Sequence, residues 1–234
     1  MISVRLTSLV CALLALFVLQ LQGRPPYPYN FEFDAGEAIA FVGDETTYDG
    51  RYCQYVENFF YTRYPDKKLI FYNAGCLNDT AEDVRARLKL DVIDRKVDYV
   101  ILQVGTWDGE FREFSPVLFS KYQAAVSGVI DDLKRNRINT FLMSPPMFDR
   151  LTRDRRMEDE TYRYRLTEMS PNYNGVMGYY TSWLREEAQT RGIRFFDAWG
   201  AINQHTMHER KTSPDLLEKR SLRDDYSLAP YPNL

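Results

Sequence analysis

The fold is decided by residues 38–47, which read AIAFVGDETT. Five apolar residues lead to a glycine and then to four polar residues, a pattern typical of a buried strand that enters a turn. Residues 69–72, 99–104, 140–143 and 194–196 are also rich in apolar residues, and each is followed by turn-forming or polar residues. The sequence therefore predicts five buried strands.

Segments with helical spacing of apolar residues separate these strands. The predicted helices cover residues 51–63, 80–90, 115–133, 174–190 and 201–210, and the charged residues 151–160 form a short helix or an excursion. Thr80 and Ser115 are suitable N-caps, and Gly192 is a suitable stop. Because strands and helices alternate, we expect a flavodoxin-like three-layer α/β/α sandwich with a five-stranded parallel sheet.

The composition limits the classes of protein to consider. The chain has 234 residues, 44% of them hydrophobic, and a net charge of −3. This length suits one α/β domain with a sizeable core. The charge gives no basic footprint, so nucleic acid is not an expected partner.

Cysteine and histidine usage argues against a metal centre. Beyond the N-terminal apolar run the chain has only Cys53 and Cys76, which form either a disulfide or two separate buried thiols. No CxxC pair supports a zinc site. His205 and His208 have a spacing that two metal ligands on a helix can use, but an exposed helix surface is the favoured interpretation. Neither a metal nor a cofactor is therefore expected.

The N-terminal segment is expected to lie outside the fold. Residues 1–23 combine a charged start with an apolar run, which indicates a signal peptide or an uncleaved signal anchor. Residues 24–35 are rich in proline and tyrosine and read as a linker. The expected location is secreted or periplasmic, with membrane contact only through an uncleaved N-terminal segment.

Three of the loops that follow strands carry the informative residues. In parallel sheets of this kind, ligands bind where the carboxyl ends of the strands meet. The loops read GDETT at 43–47, NAGCLNDT at 73–80 and GTWDG at 105–109. In order and in strand–loop–helix context, they resemble the GDS(I/L)T, NxGxSGDT and GxND blocks of the SGNH/GDSL hydrolases. The chain is identified on this resemblance as a divergent member, with the SGNH hydrolase fold over residues 36–210.

The resemblance also implies which residues carry chemistry. In that family a serine attacks an ester carbonyl, a histidine three residues after an aspartate activates it, and N–H donors hold the oxyanion. The serine position holds Glu45, the glycine position Asn78 and the asparagine position Trp107. Neither histidine has an acidic residue three positions earlier. The family's Asp-x-x-His element and last helix are missing where the polar tail, residues 211–234, stands.

These replacements favour a catalytically inactive exported domain. The expected partner is an acylated carbohydrate or a small ester, bound in the old cleft. Two alternatives stay open: an active esterase or acetylesterase that uses replacement residues, and a truncated remnant without function. Hydrolysis of a small activated ester would support the first alternative, and a cooperative melt of a clean monomer would argue against the second.

The neighbours of the serine position have more than one interpretation. Asp44 is either catalytic or, as favoured, a cap that accepts backbone N–H bonds. Glu45 is interpreted as a solvated loop carboxylate, Asp108 is expected to order its own turn, and Thr46 has a hydroxyl without a visible base. Three aromatic residues form either a platform for sugars or the packing that closes the vacated pocket: Tyr48, Trp107 and Phe111.

Overall fold

The computed structural model describes residues 33–156 and 169–212. The chain divides into two compact units, Met1–Asp34 and Ala35–Leu234. Only two residues of the first unit are described, and the predicted signal segment, most of the linker and the tail from residue 213 lie outside the described residues. Within the two described ranges, no helix is both long and apolar enough to cross a membrane.

Five parallel strands form one sheet in the order β2-β1-β3-β4-β5. Their bounds are Ala38–Gly43 for β1, Ile70–Gly75 for β2, Tyr99–Gln103 for β3, Asn139–Met143 for β4 and Arg194–Phe196 for β5. This is the flavodoxin-type order, in which strand order reverses between β1 and β3. The predicted five-stranded parallel sheet is confirmed.

Helices connect the strands. Those in the described residues are α1 Glu45–Asp49, α2 Arg51–Arg63, α3 Ala81–Asp91, α4 Pro116–Arg135, α5 Arg150–Arg156, α6 Tyr173–Arg191 and α7 Ala198–Thr212. The predicted ends hold where the sequence carries a cap. Thr80 and Asp83 form a capping box at α3, the Ser115 side chain accepts from the Leu118 N–H at α4, and α6 ends at Gly192.

Three predicted boundaries differ by three residues or more. The last helix begins at Ala198 instead of Ala201, and the other two differences lie at the carboxyl edge of the sheet. The loop predicted after β1 contains the short helix α1, and β2 continues to Gly75 instead of stopping before Asn73. Gly75 pairs in register with Gly43, and a Cβ on Gly75 would stand only 2.2 Å from the backbone nitrogen of Tyr48. The absence of a side chain there lets α1 pack directly on the end of β2.

The core lies on both faces of the central strands. All six residues of β1 are buried. Helices α4 and α6 cover one part of the sheet and contribute three fully buried tyrosines, Tyr122, Tyr173 and Tyr180. Because β1 and β3 are paired up to Gly43 and Gln103, the loops that follow them begin side by side.

The two cysteines do not form a disulfide. Cys53 is a buried free thiol on α2, and Cys76 is an exposed free thiol just after β2. The disulfide alternative is therefore not realised in this structure. The alternative of two buried thiols is right only for Cys53.

Candidate active site

Asp44 connects the end of β1 to the start of α1. Its side chain is fully buried, and one carboxyl oxygen accepts the N–H of Thr46 at 3.0 Å. The other oxygen accepts from Nε2 of Gln103 at 3.1 Å. Burial raises the pKa of Asp44 to about 6, although these hydrogen bonds to its charged form oppose the rise. The interpretation of Asp44 as a cap is confirmed.

Glu45 is not the solvated loop carboxylate that the sequence suggested. It is the first residue of α1, and its Oε2 accepts a hydrogen bond from the indole Nε1–H of Trp107. Its Oε1 is buried without a hydrogen-bond partner among the described residues. Burial and then the nearby charge of Asp44 raise the pKa of Glu45 to about 8, and the backbone N–H of Asn78 is among the groups that lower it.

Asn78, at the position that the family resemblance assigns to a glycine, has a positive φ. Its φ of 62° lies in the left-handed region, which asparagine tolerates better than most side chains. The residue sits at an exposed turn between β2 and α3. Asn78 is therefore an exposed turn residue in a left-handed conformation.

Asp108 links its own turn to a neighbouring helix. Its Oδ1 accepts the N–H of Ala81 at 2.9 Å, which links the loop after β3 to the first residue of α3. Its Oδ2 is buried and has no hydrogen-bond partner in the described ranges. Burial raises the pKa of Asp108 to about 7, and the charge of Asp44 adds to the rise.

The two threonine hydroxyls beside Glu45 have different surroundings. The Thr47 hydroxyl lies 2.9 Å from the hydroxyl of Tyr52 and donates to the amide oxygen of Gln103 at 3.1 Å. The Thr46 hydroxyl is buried and meets no partner within the described residues. A hydroxyl needs an adjacent base to act as a nucleophile. The Thr47 hydroxyl contacts the neutral groups of Tyr52 and Gln103, whereas the Thr46 side chain is among the groups that lower the pKa of Asp44.

The histidines lie on a solvent-exposed helix surface. His205 and His208 are both exposed on α7, as the favoured interpretation predicted. In the part of the chain that is described, no group of histidine, cysteine, aspartate and glutamate residues could hold a metal ion. The aspartate after β5, Asp197, is held by Arg185 and by the N–H of Gly200.

The three aromatic residues have different environments. Tyr48 is 58% exposed, Trp107 is half-buried, and Phe111 is only 6% exposed. The Phe111 ring packs edge-on against Trp107, with 4.7 Å between the ring centroids. It packs at a tilt against Tyr173, with 4.9 Å between the centroids. Phe111 is therefore a packing residue, which corrects its prediction as a ligand-binding residue.

Arg87 supports the site, and the sequence analysis did not identify it. Its Nη2 donates to the Gly43 carbonyl oxygen at 3.3 Å, directly before Asp44. Its Nε lies 2.6 Å from Asp79, and its Nη1 lies 2.9 Å from Asp91. The spacing of four residues between Arg87 and Asp91 on one helix face was the available signal. The guanidinium thereby ties α3 to the ends of β1 and β2.

Comparisons with known proteins give the family context. No protein-family model matches the chain. A curated acetylxylan esterase from Geobacillus stearothermophilus is 26% identical over 132 residues, which are 47% of this chain and 60% of that protein. The match thus spans about 60% of the length of the curated relative.

Solved structures share the fold. The acetylxylan esterase Axe2 from Geobacillus stearothermophilus superposes with a TM-score of 0.60 at 21% identity, over 76% of this chain and 83% of that one. An α/β hydrolase from the metagenome of Lake Arreo gives 0.58 at 21% identity, over 75% and 83%. The resemblance to the SGNH/GDSL hydrolases is therefore confirmed: the chain is a homologue of an acetylxylan esterase and has an esterase-type hydrolase fold.

Proposed function

We propose that this chain is a non-hydrolytic member of the esterase fold, which binds an acylated carbohydrate or a small ester at the carboxyl edge of its sheet. The observation that carries the proposal is the hydrogen bond from Trp107 to Glu45. The family resemblance assigns the nucleophile to the position of Glu45, and this hydrogen bond supports the interpretation that its carboxyl is buried there. Structures of the related Axe2 include catalytic mutants in which a serine or an aspartate is replaced by alanine.

The chemistry of Glu45 supports inactivity. Attack by the Glu45 carboxylate on an ester would produce an anhydride. Two further carboxyls lie nearby, since the charge of Asp44 raises the pKa of Asp108. A developing oxyanion in this environment would be repelled wherever those groups are ionised. No histidine supports an alternative hydroxyl nucleophile, because the chain has only two and both are exposed on α7.

The ligand class is supported by the relative and by the exposed rings. Axe2 is described as an acetyl-xylooligosaccharide esterase. In this chain Tyr48 and the half-buried Trp107 follow β1 and β3 and offer flat apolar faces at the same edge. We expect Tyr48→Ala to weaken binding of an acetylated xylo-oligosaccharide about three- to tenfold in calorimetry. The matched deacetylated oligosaccharide should bind more weakly to the unmodified chain.

Turnover of p-nitrophenyl acetate tests inactivity. We expect the purified full chain to hydrolyse it no faster than buffer does. We expect the same of Glu45→Ser, because both histidines are exposed on α7 and neither can act as the base for the new serine hydroxyl. Turnover by the unmodified chain that is lost in Glu45→Gln or Thr46→Val would overturn the proposal and support the active-esterase alternative.

A further inference from the structure

The two outermost strands of the sheet differ in how their lateral edges are protected. Strands β2 and β5 stand at opposite ends of the strand order. β5 has only three residues and begins with the exposed Arg194. Short strands and charged side chains are two ways in which proteins prevent pairing between edges. β2 has six residues, which read IFYNAG, and therefore has neither a charge nor a proline to protect its edge.

The backbone of β2 directs alternate residues away from the sheet. The N–H of Ile70 donates to the carbonyl oxygen of Glu37 at 3.0 Å, which turns the even-numbered residues of β2 towards β1. In a parallel ladder, the odd-numbered residues then direct their N–H and C=O groups to the outer side. The N–H of Gly75 turns back to the Asn73 side chain at 2.9 Å. The open part of the edge is therefore presented by Phe71 and Asn73.

An aromatic patch on α2 continues this edge. The patch consists of Tyr55, Phe59, Tyr61 and Tyr64, which are between 44% and 76% exposed. Tyr61 stands edge-on against Phe71 of β2, with 5.5 Å between the ring centroids, and Phe59 contacts Tyr64 at 6.1 Å. Tyr55 and Phe59 are four residues apart and share one face of the helix. The aromatic patch and the edge of β2 thus form one continuous surface.

The aromatic patch is large enough to contribute to a protein interface. Each aromatic side chain has about 150–250 Å² to bury, so the exposed fractions of the four rings leave roughly 400 Å² of mostly apolar surface. This is about half of the roughly 800 Å² that each partner buries in a standard interface. Asn58, Thr62 and Lys68 are exposed beside the patch and extend the available area. Patches of this size are often functional.

We infer that β2 and the aromatic patch form the interface of a homodimer, in which β2 pairs antiparallel with β2 of a second copy. A second copy fits this surface because a strand edge is self-complementary: each open residue offers one N–H and one C=O to its two-fold mate. A two-fold axis perpendicular to the sheet keeps both α2 helices on the same face, so the two aromatic patches meet. The inference does not depend on the proposed function, because it uses neither Glu45 nor Trp107.

Sedimentation equilibrium of the full chain measures this association. We expect a monomer–dimer equilibrium with a Kd on the order of 1–10 µM. Ile70→Lys places a charge on the exposed first residue of β2 and should raise the Kd at least about tenfold. Tyr61→Lys places a charge in the aromatic patch, should act in the same direction, and is the second variant if Ile70→Lys fails to fold. Phe196→Lys, at an exposed residue of β5, is the matched control and should leave the Kd unchanged.

Each result supports or contradicts the inference independently of ester turnover. A chain that stays monomeric at about 100 µM, well above the expected Kd, would contradict it. A Kd that neither Ile70→Lys nor Tyr61→Lys changes would show that another surface holds the copies together. An equal loss in Phe196→Lys would show that added charge in general weakens the association. Growth to species larger than a dimer would contradict a closed two-fold interface.

Discussion

The edge of the sheet after β1 and β3 differs sharply from the edge after β5. After β1 and β3, polar side chains are buried and bonded to one another, as Trp107 is to Glu45. After β5, the histidines of α7 are exposed, and Asp197 is bound by Arg185. The first region is a buried network of polar side chains. The second has imidazoles, the usual base, but on a solvent-exposed helix surface.

Under the proposed function, this contrast predicts that a single replacement does not create a triad. Catalysis by nucleophile and base requires both groups within hydrogen-bond reach. Introducing a serine at Glu45 would correct the first region only, and the exposed histidines of the second would remain without a nucleophile to activate. The effects of such groups are strongly non-additive, so one correction is expected to give little rate.

The largest effect on stability is expected from the buried ring of Tyr173, which supports the loop after β3. Tyr173→Ala removes a fully buried ring that contacts Phe111 and Phe148 and should lower the free energy of unfolding by about 3–5 kcal/mol. The matched Tyr173→Phe loses only the hydrogen bond to Thr106 and should lower it by about 1 kcal/mol. Urea unfolding measures both, and equal losses would contradict the packing role of the ring.

A smaller but substantial effect is expected from closing the gap between β2 and α1. Gly75→Ala would place a Cβ 2.2 Å from the Tyr48 nitrogen and should lower the free energy of unfolding by about 2–3 kcal/mol. Gly175→Ala is the control, because a Cβ on Gly175 has no neighbour within 4 Å. Equal thermal melts for the two variants would mean that α1 does not pack on β2 as described.

The pH dependence of stability distinguishes the buried carboxyls from ordinary ones. Burial raises the pKa values of Asp44, Asp108 and Glu45 to about 6, 7 and 8, so the folded chain binds more protons than the unfolded chain above about pH 4. The stability that these groups contribute is therefore present below about pH 4 and is lost as the pH rises to about 8.

Each such group contributes a slope of up to about 1.4 kcal/mol per pH unit within its window. Urea unfolding between pH 5 and 9 measures the slope in the unmodified chain. Glu45→Gln should flatten the curve up to about pH 8 and Asp108→Asn up to about pH 7, because neither amide titrates. An unmodified chain whose stability rises from neutral to basic pH would contradict the burial of these carboxyls.

The smallest effect on stability is expected from the exposed histidines of α7, which follows β5. His205→Ala and His208→Ala remove exposed side chains of α7 and should change the free energy of unfolding by less than about 0.5 kcal/mol. Ligand binding at the other edge should be unchanged as well. A large loss of binding in either variant would show that α7 takes part in ligand binding, and it would contradict the contrast between the two regions.

The sequence predicted the framework better than the site. The alternation of apolar runs and helices was sufficient for the sheet, and Thr80 and Gly192 marked helix ends correctly because caps act locally. The burial of Glu45 could not be read from neighbouring residues, because its partner, Trp107, lies 62 positions away. The extension of β2 to Gly75 likewise depends on its close contact with α1, a tertiary effect.

The ionisation of Glu45 tests the central claim, a carboxyl buried against Trp107, most directly. Carbon-13 NMR of the side-chain carboxyl, assigned with Glu45→Gln, gives its pKa in the folded chain. We predict a pKa of about 8, raised first by burial and then by the charge of Asp44. A value near the ordinary 4.5 of a glutamate would show a solvated carboxylate and contradict the claim that Glu45 occupies the site.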